Sequence, residues 1–432
     1  MNRGFSALIK MAQAAPFMFF TLIAGPLFAQ PPADLPGTLA YFRVVGATQS
    51  EPGTAELHLV NPDGRNDRII YRTPRGLSTI NPSLNWRPDG HEIAFSSAQE
   101  FASSPFNSDI FAIQPDGTGL RRITNAPKLE ELAKLPHGSV TVTVKNLIRN
   151  ESIFFVYVEG ATSMKQVTVA PGASATVTVD HVAELGRLQY VYVKSGTGTW
   201  LFPQAYADVV PGQTVAAANA VQISTGNGPF KLKINSFTWK RDGSEIAYLV
   251  EAGLKEFLPA FPARGQRGQN LFTGNITLVN GQLAWSPVRD EFLFYSTLAA
   301  PRGIYRGDKG SDVKTHPLVL ETDYVSGLSW LPDGSGFLYS TQRFGYSSNQ
   351  IIRFDFDSKQ ATVLVEGGSH LGGVVVSPDG RYFSFADRAD EHAPFDLFGQ
   401  ALNGGPRWKI ASDIVSWDWG PMPAAGVKEK NQ

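Results

Sequence analysis

The chain of 432 residues contains no cysteine, which removes disulfides, thiolate nucleophiles, thiolate metal sites and lipid attachment at a cysteine together. An excess of one charge is lacking too. Lys and Arg total 38 against 39 for Asp and Glu, so no bulk field draws the chain to nucleic acid or to an anionic membrane surface. Neither a GxxxxGK[ST] loop nor a GxGxxG opening a helix occurs, and the phosphate-cradling backbone those glycines provide is missing with them. The seven histidines (His58, His91, His137, His181, His316, His370 and His392) stand far apart and in no metal-ligand spacing. His91-Glu92-Ile93-Ala94-Phe95 opens like the zinc motif HExxH but carries Phe95 where the second ligand must stand. Gly367-Gly368-Ser369-His370-Leu371 begins like a nucleophile elbow, yet Leu371 replaces the glycine that lets such a turn tighten. These absences lead to an expectation of no cofactor, no metal and, more readily than catalysis, a binding role.

What is present is a repeat. In residues 81–124, Leu84 to Trp86 reads as a short strand, Pro88-Asp89-Gly90 as a tight turn and Ile93 to Ser96 as an apolar second strand. Asp109 to Ile113 follows as an alternating third strand, Pro115-Asp116-Gly117 as a second hairpin turn and residues 121–124 as an outer strand. Proline presets φ, aspartate bonds its own backbone and glycine accepts positive φ, so each turn is specified locally. Four antiparallel strands in about 45 residues is the length of a propeller blade.

The plan returns from Ile234 as NSFTWKRDGSEIAYLVE, GQLAWSPVRDEFLFYST, SGLSWLPDGSGFLYSTQ and GGVVVSPDGRYFSFADR. Trp86, Trp239, Trp285, Trp330 and Trp419 hold equivalent places before the turn, with Val376 in one repeat; packing between blades explains such tryptophans better than a ligand cage. Two repeats depart from the pattern: one has Val288-Arg289-Asp290 in place of Asp-Gly, and another an irregular stretch at 257–275 where third and fourth strands are expected. The opening blade, with strands at 38–44, 55–60 and 68–71, lacks its first strand, and VSWDWGP at 415–421 supplies one with nothing after it to pair with. Chain ends that complete one sheet would close the ring and hide two edges. The expected fold is therefore all-β, a six-bladed β-propeller closed by N- and C-terminal strands.

Between residues 127 and 234 the repeat stops, and SVTVTVKNL, SIFFVYVEG, KQVTVAPG, ASATVTVD, LQYVYVKSG and TVAAANAVQIS alternate strictly. Such alternation with Pro-Gly turns predicts a β-sandwich of the immunoglobulin-like kind. The expected organisation is residues 1–29 a signal peptide, 37–126 the first two blades, 136–225 the inserted sandwich after a linker at 128–135, and 234–421 the remaining blades with the closing strand. The signal reading rests on Arg3 and Lys10 before a chargeless run at 11–33 whose apolar part ends at Leu27-Phe28-Ala29-Gln30. Its rival is an uncleaved anchor, since the run approaches the ~20 residues that span a bilayer, against which stand Pro16, Gly25 and Pro26. A periplasmic or secreted location is expected, with membrane contact only through that segment if it is uncleaved.

The segments WRPDGHEIAFSS, SDIFAIQPDG, RRIT, WLPDGSGFLYST and SPDGRYFSFAD resemble the repeats of TolB-like six-bladed propellers, over residues 37–126 and 234–421. In the TolB family proper the propeller follows an N-terminal α/β domain and acts in the cell-envelope Tol-Pal system, whereas the propeller pattern here begins at Gly37, so the resemblance implies fold more than role. Similar repeats also form the propeller domains of prolyl-oligopeptidase-like peptidases.

An insert placed after a fourth strand shares a face with the loops between second and third strands, which are long at 98–107, 341–349 and 387–395. Loops on a rigid scaffold carry binding. Phe101, Phe106, Phe344 and Tyr346 beside Arg343 are residue types enriched at interface hot spots, with packing of the loops themselves as the alternative. Asp387, Asp390 and His392 belong to the densest polar cluster, readable as a solvated tip, a partner contact or an acid–base pair. The function expected is an exported, non-enzymatic propeller holding an envelope or extracellular protein, a peptidoglycan-linked partner or a glycan. A lyase or hydrolase acting on a carbohydrate or small molecule at the channel is the alternative, recognisable by converging carboxylates or histidines. A third reading is an adhesin whose sandwich binds the glycan.

Overall fold

In the computed structural model, the described residues are 29–46, 54–73, 83–97, 109–124, 132–186, 188–195, 200–224, 234–250, 255–262, 268–271, 282–296, 301–310, 316–321, 323–342, 349–367, 371–390 and 392–421. They form an all-β molecule of eight four-stranded sheets. Six sheets repeat the plan of the sequence. The first joins Thr38–Val45, Thr54–Val60 and Arg68–Arg72 to Ser416–Gly420. The second is Leu84–Trp86, Ile93–Ser97, Asp109–Ile113 and Arg121–Arg122, and the third Ile234–Trp239, Glu245–Val250, Lys255–Pro259 and Gln269–Asn270. The fourth runs from Leu283–Trp285 to Val319–Leu320, the fifth from Tyr324–Trp330 to Ala361–Gly367, and the sixth from Gly372–Val376 to Trp408–Ile414.

Burial explains why the strands of one sheet differ in composition. Every residue of Ile93–Ser97 and of Glu291–Ser296 is buried, because a second strand has a neighbouring sheet on both faces and must be apolar nearly throughout. The first strand alternates, Leu84 and Trp86 buried with Asn85 between them half-buried. The fourth is largely exposed, as in Ala361–Gly367. The turns form as their residues dictate: Asp89 Oδ1 accepts His91 N–H at 3.0 Å and Asp116 Oδ1 accepts Thr118 N–H at 2.9 Å, while Gly90 and Gly117 take φ of 73° and 82°. Where the fourth sheet lacks Asp-Gly, Ser286 Oγ accepts the N–H groups of Val288 and Arg289 and Trp285 Nε1 donates to Asp290. The irregular stretch of the third sheet does contain its two outer strands, the last of only two residues.

The apolar cores are shared from sheet to sheet. One cluster joins the first sheet to the second, through Phe42, Leu57, Phe95 and Phe111; others join the second to the third, the third to the fourth, the fourth to the fifth and the fifth to the sixth. A further cluster, with Leu39, Tyr41, Trp408 and Trp419, joins the sixth sheet to the first. The five repeat tryptophans Trp86, Trp239, Trp285, Trp330 and Trp419 are all buried in these cores, so packing is what they do.

The other two sheets lie between residues 137 and 223 and share a core of their own, lined by Val140, Val142, Phe154, Val156, Val179 and Val191. Thr214–Ala216 and Val221–Ile223 pair with His137–Asn146 in parallel, departing from a purely antiparallel arrangement. Trp200–Ala207, a strand the alternation did not predict, pairs with Gln189–Ser195 at the edge of its sheet. Its Pro203 breaks the pattern, and an edge is where a strand tolerates a residue without N–H.

Candidate functional site: a cavity walled by six first strands

A cavity of about 760 Å³ is lined by one strand from each of the six repeated sheets. Asn85, Thr238, Ala284, Ser329, Val375 and Asp418 each precede the repeat tryptophan or its Val376 substitute, and all six border it. At four of these positions the side chain reaches the next sheet. Asp418 Oδ2 accepts Trp86 N–H at 2.6 Å, Asn85 Oδ1 accepts Trp239 N–H at 3.1 Å, Thr238 Oγ1 accepts Trp285 N–H at 3.3 Å and Ser329 Oγ accepts Val376 N–H at 3.0 Å. Ala284 has no side-chain acceptor, and there Trp330 Nε1 donates to the Ala284 carbonyl at 3.0 Å instead. The same residues thus wall the cavity and stitch the sheets together.

Asp418 is the one ionisable side chain among the described lining residues. It sits deep in the molecule but stays half-buried, because it faces the cavity. Asn85 Nδ2 donates to its Oδ2 at 3.0 Å, beside the Trp86 N–H. Burial pushes its carboxyl up to about 6, against the pull of the Trp86 and Trp419 N–H groups and the Asn85 amide. Between the unfolded value near 3.8 and the folded value near 6, the folded chain therefore holds a proton that the unfolded chain has released. Stability from this group is full below the lower value, falls as pH rises through the window and is level above it. Asp418→Asn removes the charge and keeps one oxygen for both donors. The stability lost between about pH 4 and pH 6 is expected to shrink by at most about 3 kcal/mol, at about 1.36 kcal/mol for each pH unit separating the folded and unfolded values, as checked by denaturant titration across that range.

Of the residues expected at the site, Asp387 ends the strand Tyr382–Asp387 and accepts Arg407 Nη1 at 2.6 Å. Asp390 Oδ1 accepts the N–H groups of His392 and Ala393, both at 2.9 Å, and so builds a turn; His392 is exposed. The structure brings Asp390 and His392 together in one exposed turn and ties Asp387 to Arg407, the residue before the strand Trp408–Ile414. Phe101, Phe106, Arg343, Phe344 and Tyr346 lie outside the described residues. The flanking residues Gln342, Ala386 and Phe395 do line the cavity. No trio of His, Asp or Glu among the described residues is gathered as metal ligands.

Two polar centres escaped the sequence reading. Asp418 could have been found by comparing the six residues before the tryptophans, where it alone is charged. The other centre is His58, buried in the first sheet with Nδ1 2.9 Å from Asp67 Oδ1 and Nε2 3.4 Å from Glu56 Oε2, its ring stacked on Tyr41. Tyr41 OH donates to Asp67 Oδ2 at 2.7 Å, and burial, with Asp67 beside it, raises the phenol above its ordinary range. Its groups satisfy one another within one sheet.

No protein-family model matches the chain, and no curated protein matches it by sequence. Among solved structures it is similar to TolB from Acinetobacter baumannii, at 15% identity over 90% of this chain and 68% of that one, with a TM-score of 0.53. A nidogen/laminin complex matches at 9% identity over 88% of this chain and 98% of that one, TM-score 0.46. Oligogalacturonate lyase from Vibrio parahaemolyticus matches at 10% identity over 88% and 87%, TM-score 0.36. At this identity the likeness to TolB is one of fold, and it supports a β-propeller-like, all-β architecture for this chain.

Proposed function

We propose that the six repeated sheets are the blades of a ring closed by the two chain ends, that residues 136–225 are a β-sandwich domain inserted between the second and third blades, and that the whole is an exported, non-enzymatic binding protein. The cyclic series of shared cores, ending on the cluster between sixth and first sheets, supports the ring; the private core of residues 140–223 supports the insert. The partner in this reading is a protein or other component of the cell envelope or extracellular space, including a peptidoglycan-linked partner or a glycan, and the location is periplasmic or secreted.

The observation that carries the binding reading is topological. The strands of the second sheet alternate in direction, so the chain leaves Arg121–Arg122 at the same end of the sheet as the connection between Ile93–Ser97 and Asp109–Ile113. The insert and the second-to-third-strand loops then share a face, as a binding surface on a rigid scaffold requires. Deleting residues 136–225 and replacing Arg343, Phe344 and Tyr346 by alanine is expected to abolish capture of the partner from native envelope extract. Retention of every captured partner by that variant would sink the reading.

The cavity keeps a small-molecule reading alive as the second one, its volume lying in the usual range for ligand sites, about 300–1,000 Å³. Hydrolysis of a glycosidic bond by carboxylates uses a pair, and among the described lining residues Asp418 stands alone.

A further inference from the structure

The cavity has a chemical character of its own. Its described lining contains one carboxylate, Asp418, and no Lys, Arg or His. Hydroxyl and amide side chains from several sheets surround it, and Trp417, next to Asp418, is only half-buried. Gly373 lies against the Trp417 ring where a Cβ would overlap it, so the wall is built to seat that indole.

The hydrogen bonds leave defined capacity. Ser236 Oγ accepts Leu283 N–H at 3.2 Å, and Thr238 and Ser329 accept backbone N–H groups in the same way. A hydroxyl used as an acceptor still carries a hydrogen to donate, so these side chains offer O–H donors to oxygens in the cavity. Asp418 receives Trp86 N–H and Asn85 Nδ2 on one oxygen, with support from Trp419 N–H. A carboxylate has about four acceptor sites, and some are left for another donor.

An inorganic divalent ion is a poor match. Calcium takes about 6–8 oxygen ligands, several of them carboxylates, whereas one carboxylate is present in a space many times larger than an ion. An organic cation fits better: its charge meets Asp418, its carbon face meets an aromatic ring, and its oxygens meet the hydroxyl donors. We propose that the cavity binds a small polyhydroxylated ammonium compound, an amino sugar in class, with Asp418 receiving the ammonium, Trp417 its carbon face, and Ser236, Thr238 and Ser329 its oxygens.

The test uses the full chain and two probes of nearly equal shape, glucosamine and glucose, which differ by an ammonium in place of one hydroxyl, titrated by calorimetry near neutral pH. Glucosamine is expected to bind roughly tenfold more tightly, the lower end of what a hydrogen bond to a charged group contributes. Asp418→Asn is expected to erase that preference while melting with the same cooperativity as the wild type. Equal affinity for the two sugars in the wild type, binding of neither at millimolar concentration, or a preference that survives Asp418→Asn would each overturn the proposal. The wild-type comparison depends on no variant, so a misfolded Asp418→Asn chain leaves it decisive. Partner capture on the loop face is a separate measurement, and either reading can fail without the other.

Discussion

A chain cut after Val415 is expected to lose the cooperative unfolding transition of its repeated sheets, or to melt far below the full chain, when followed by calorimetry and limited proteolysis. The deleted strand Ser416–Gly420 pairs with Thr38–Phe42 in antiparallel register, Leu39 opposite Trp419. Removing it leaves a row of N–H and C=O groups unpaired at an apolar edge. It also takes away the buried Trp419, whose Nε1 donates to Pro36 O at 2.7 Å, and a core tryptophan reduced to nothing costs about 3–5 kcal/mol. On its far side the strand presses on the second sheet so closely that a Cβ on Gly420 would overlap the Trp86 indole, and Asp418 accepts the Trp86 N–H. With ladder hydrogen bonds at about 1 kcal/mol each, the total rivals the whole stability of a folded domain, about 5–15 kcal/mol. A synthetic peptide covering residues 414–422 is expected to restore the transition when added to the truncated chain. A truncated chain that unfolds at the full-length temperature would show that the two ends do not close the ring.

That strand also marks what can be seen in the sequence and what cannot. Its partnership with the N-terminus was legible, because an opening blade without a first strand and a closing strand without followers imply each other. The turns were legible for a local reason: each aspartate bonds an N–H two residues on, so the motif specifies its own geometry. Trp200–Ala207 was hidden because Pro203 interrupts the alternation, and its place at a sheet edge is a property of the assembled sheets. Asp418 stands out in the sequence only as the charged member of the six residues before the tryptophans and their Val376 substitute. Its partner Asn85 is 333 positions away, and no local pattern announces that a carboxylate will face a cavity made by six separate strands. The sequence reading left the cluster at Asp387, Asp390 and His392 open between a solvated tip, a partner contact and an acid–base pair; the fold adds that Asp387 accepts Arg407 and that Asp390 builds a turn. Aromatics in long loops stand out as a binding signal because composition displays them; the polar part of the cavity wall is made of Ser, Thr, Asn and Gln residues scattered over separate strands, and no local stretch displays it.

Glu92→Gln is expected to lower the unfolding free energy of the repeated sheets by about 3 kcal/mol near neutral pH, the cost of breaking a buried ion pair from one side. Glu92 is buried at the entry to the second sheet and receives Arg121 twice, Nε and Nη2 both at 2.7 Å, and Arg87 Nη1 at 3.1 Å. Arg121 also donates through Nη1 to Ala260 O beside the third strand of the next sheet at 2.7 Å and lies 4.1 Å from the centre of the exposed Phe261 ring, over which Arg87 sits as well at 5.7 Å. One carboxylate therefore holds the guanidinium that fastens the second sheet to the third. Glutamine keeps the size and loses the charge, leaving Arg121 with the Ala260 carbonyl and one neutral side-chain oxygen, and Arg87 with Asp89 at 3.2 Å as its remaining carboxylate. Burial alone would raise the Glu92 carboxyl, but the hydrogen bonds and charge of Arg121, then of Arg87, bring it below the usual carboxylate range. A lowered folded value means that this stability is present above the unfolded value and is lost as pH falls through the folded one. The gap between wild type and Glu92→Gln is thus expected to be widest near neutrality and to close on the acid side. Tryptophan fluorescence can follow it, since seven of the eight tryptophans, all but Trp200, lie in the repeated sheets. A gap that stays constant down to strong acid would mean that the charge is not what holds these two sheets together.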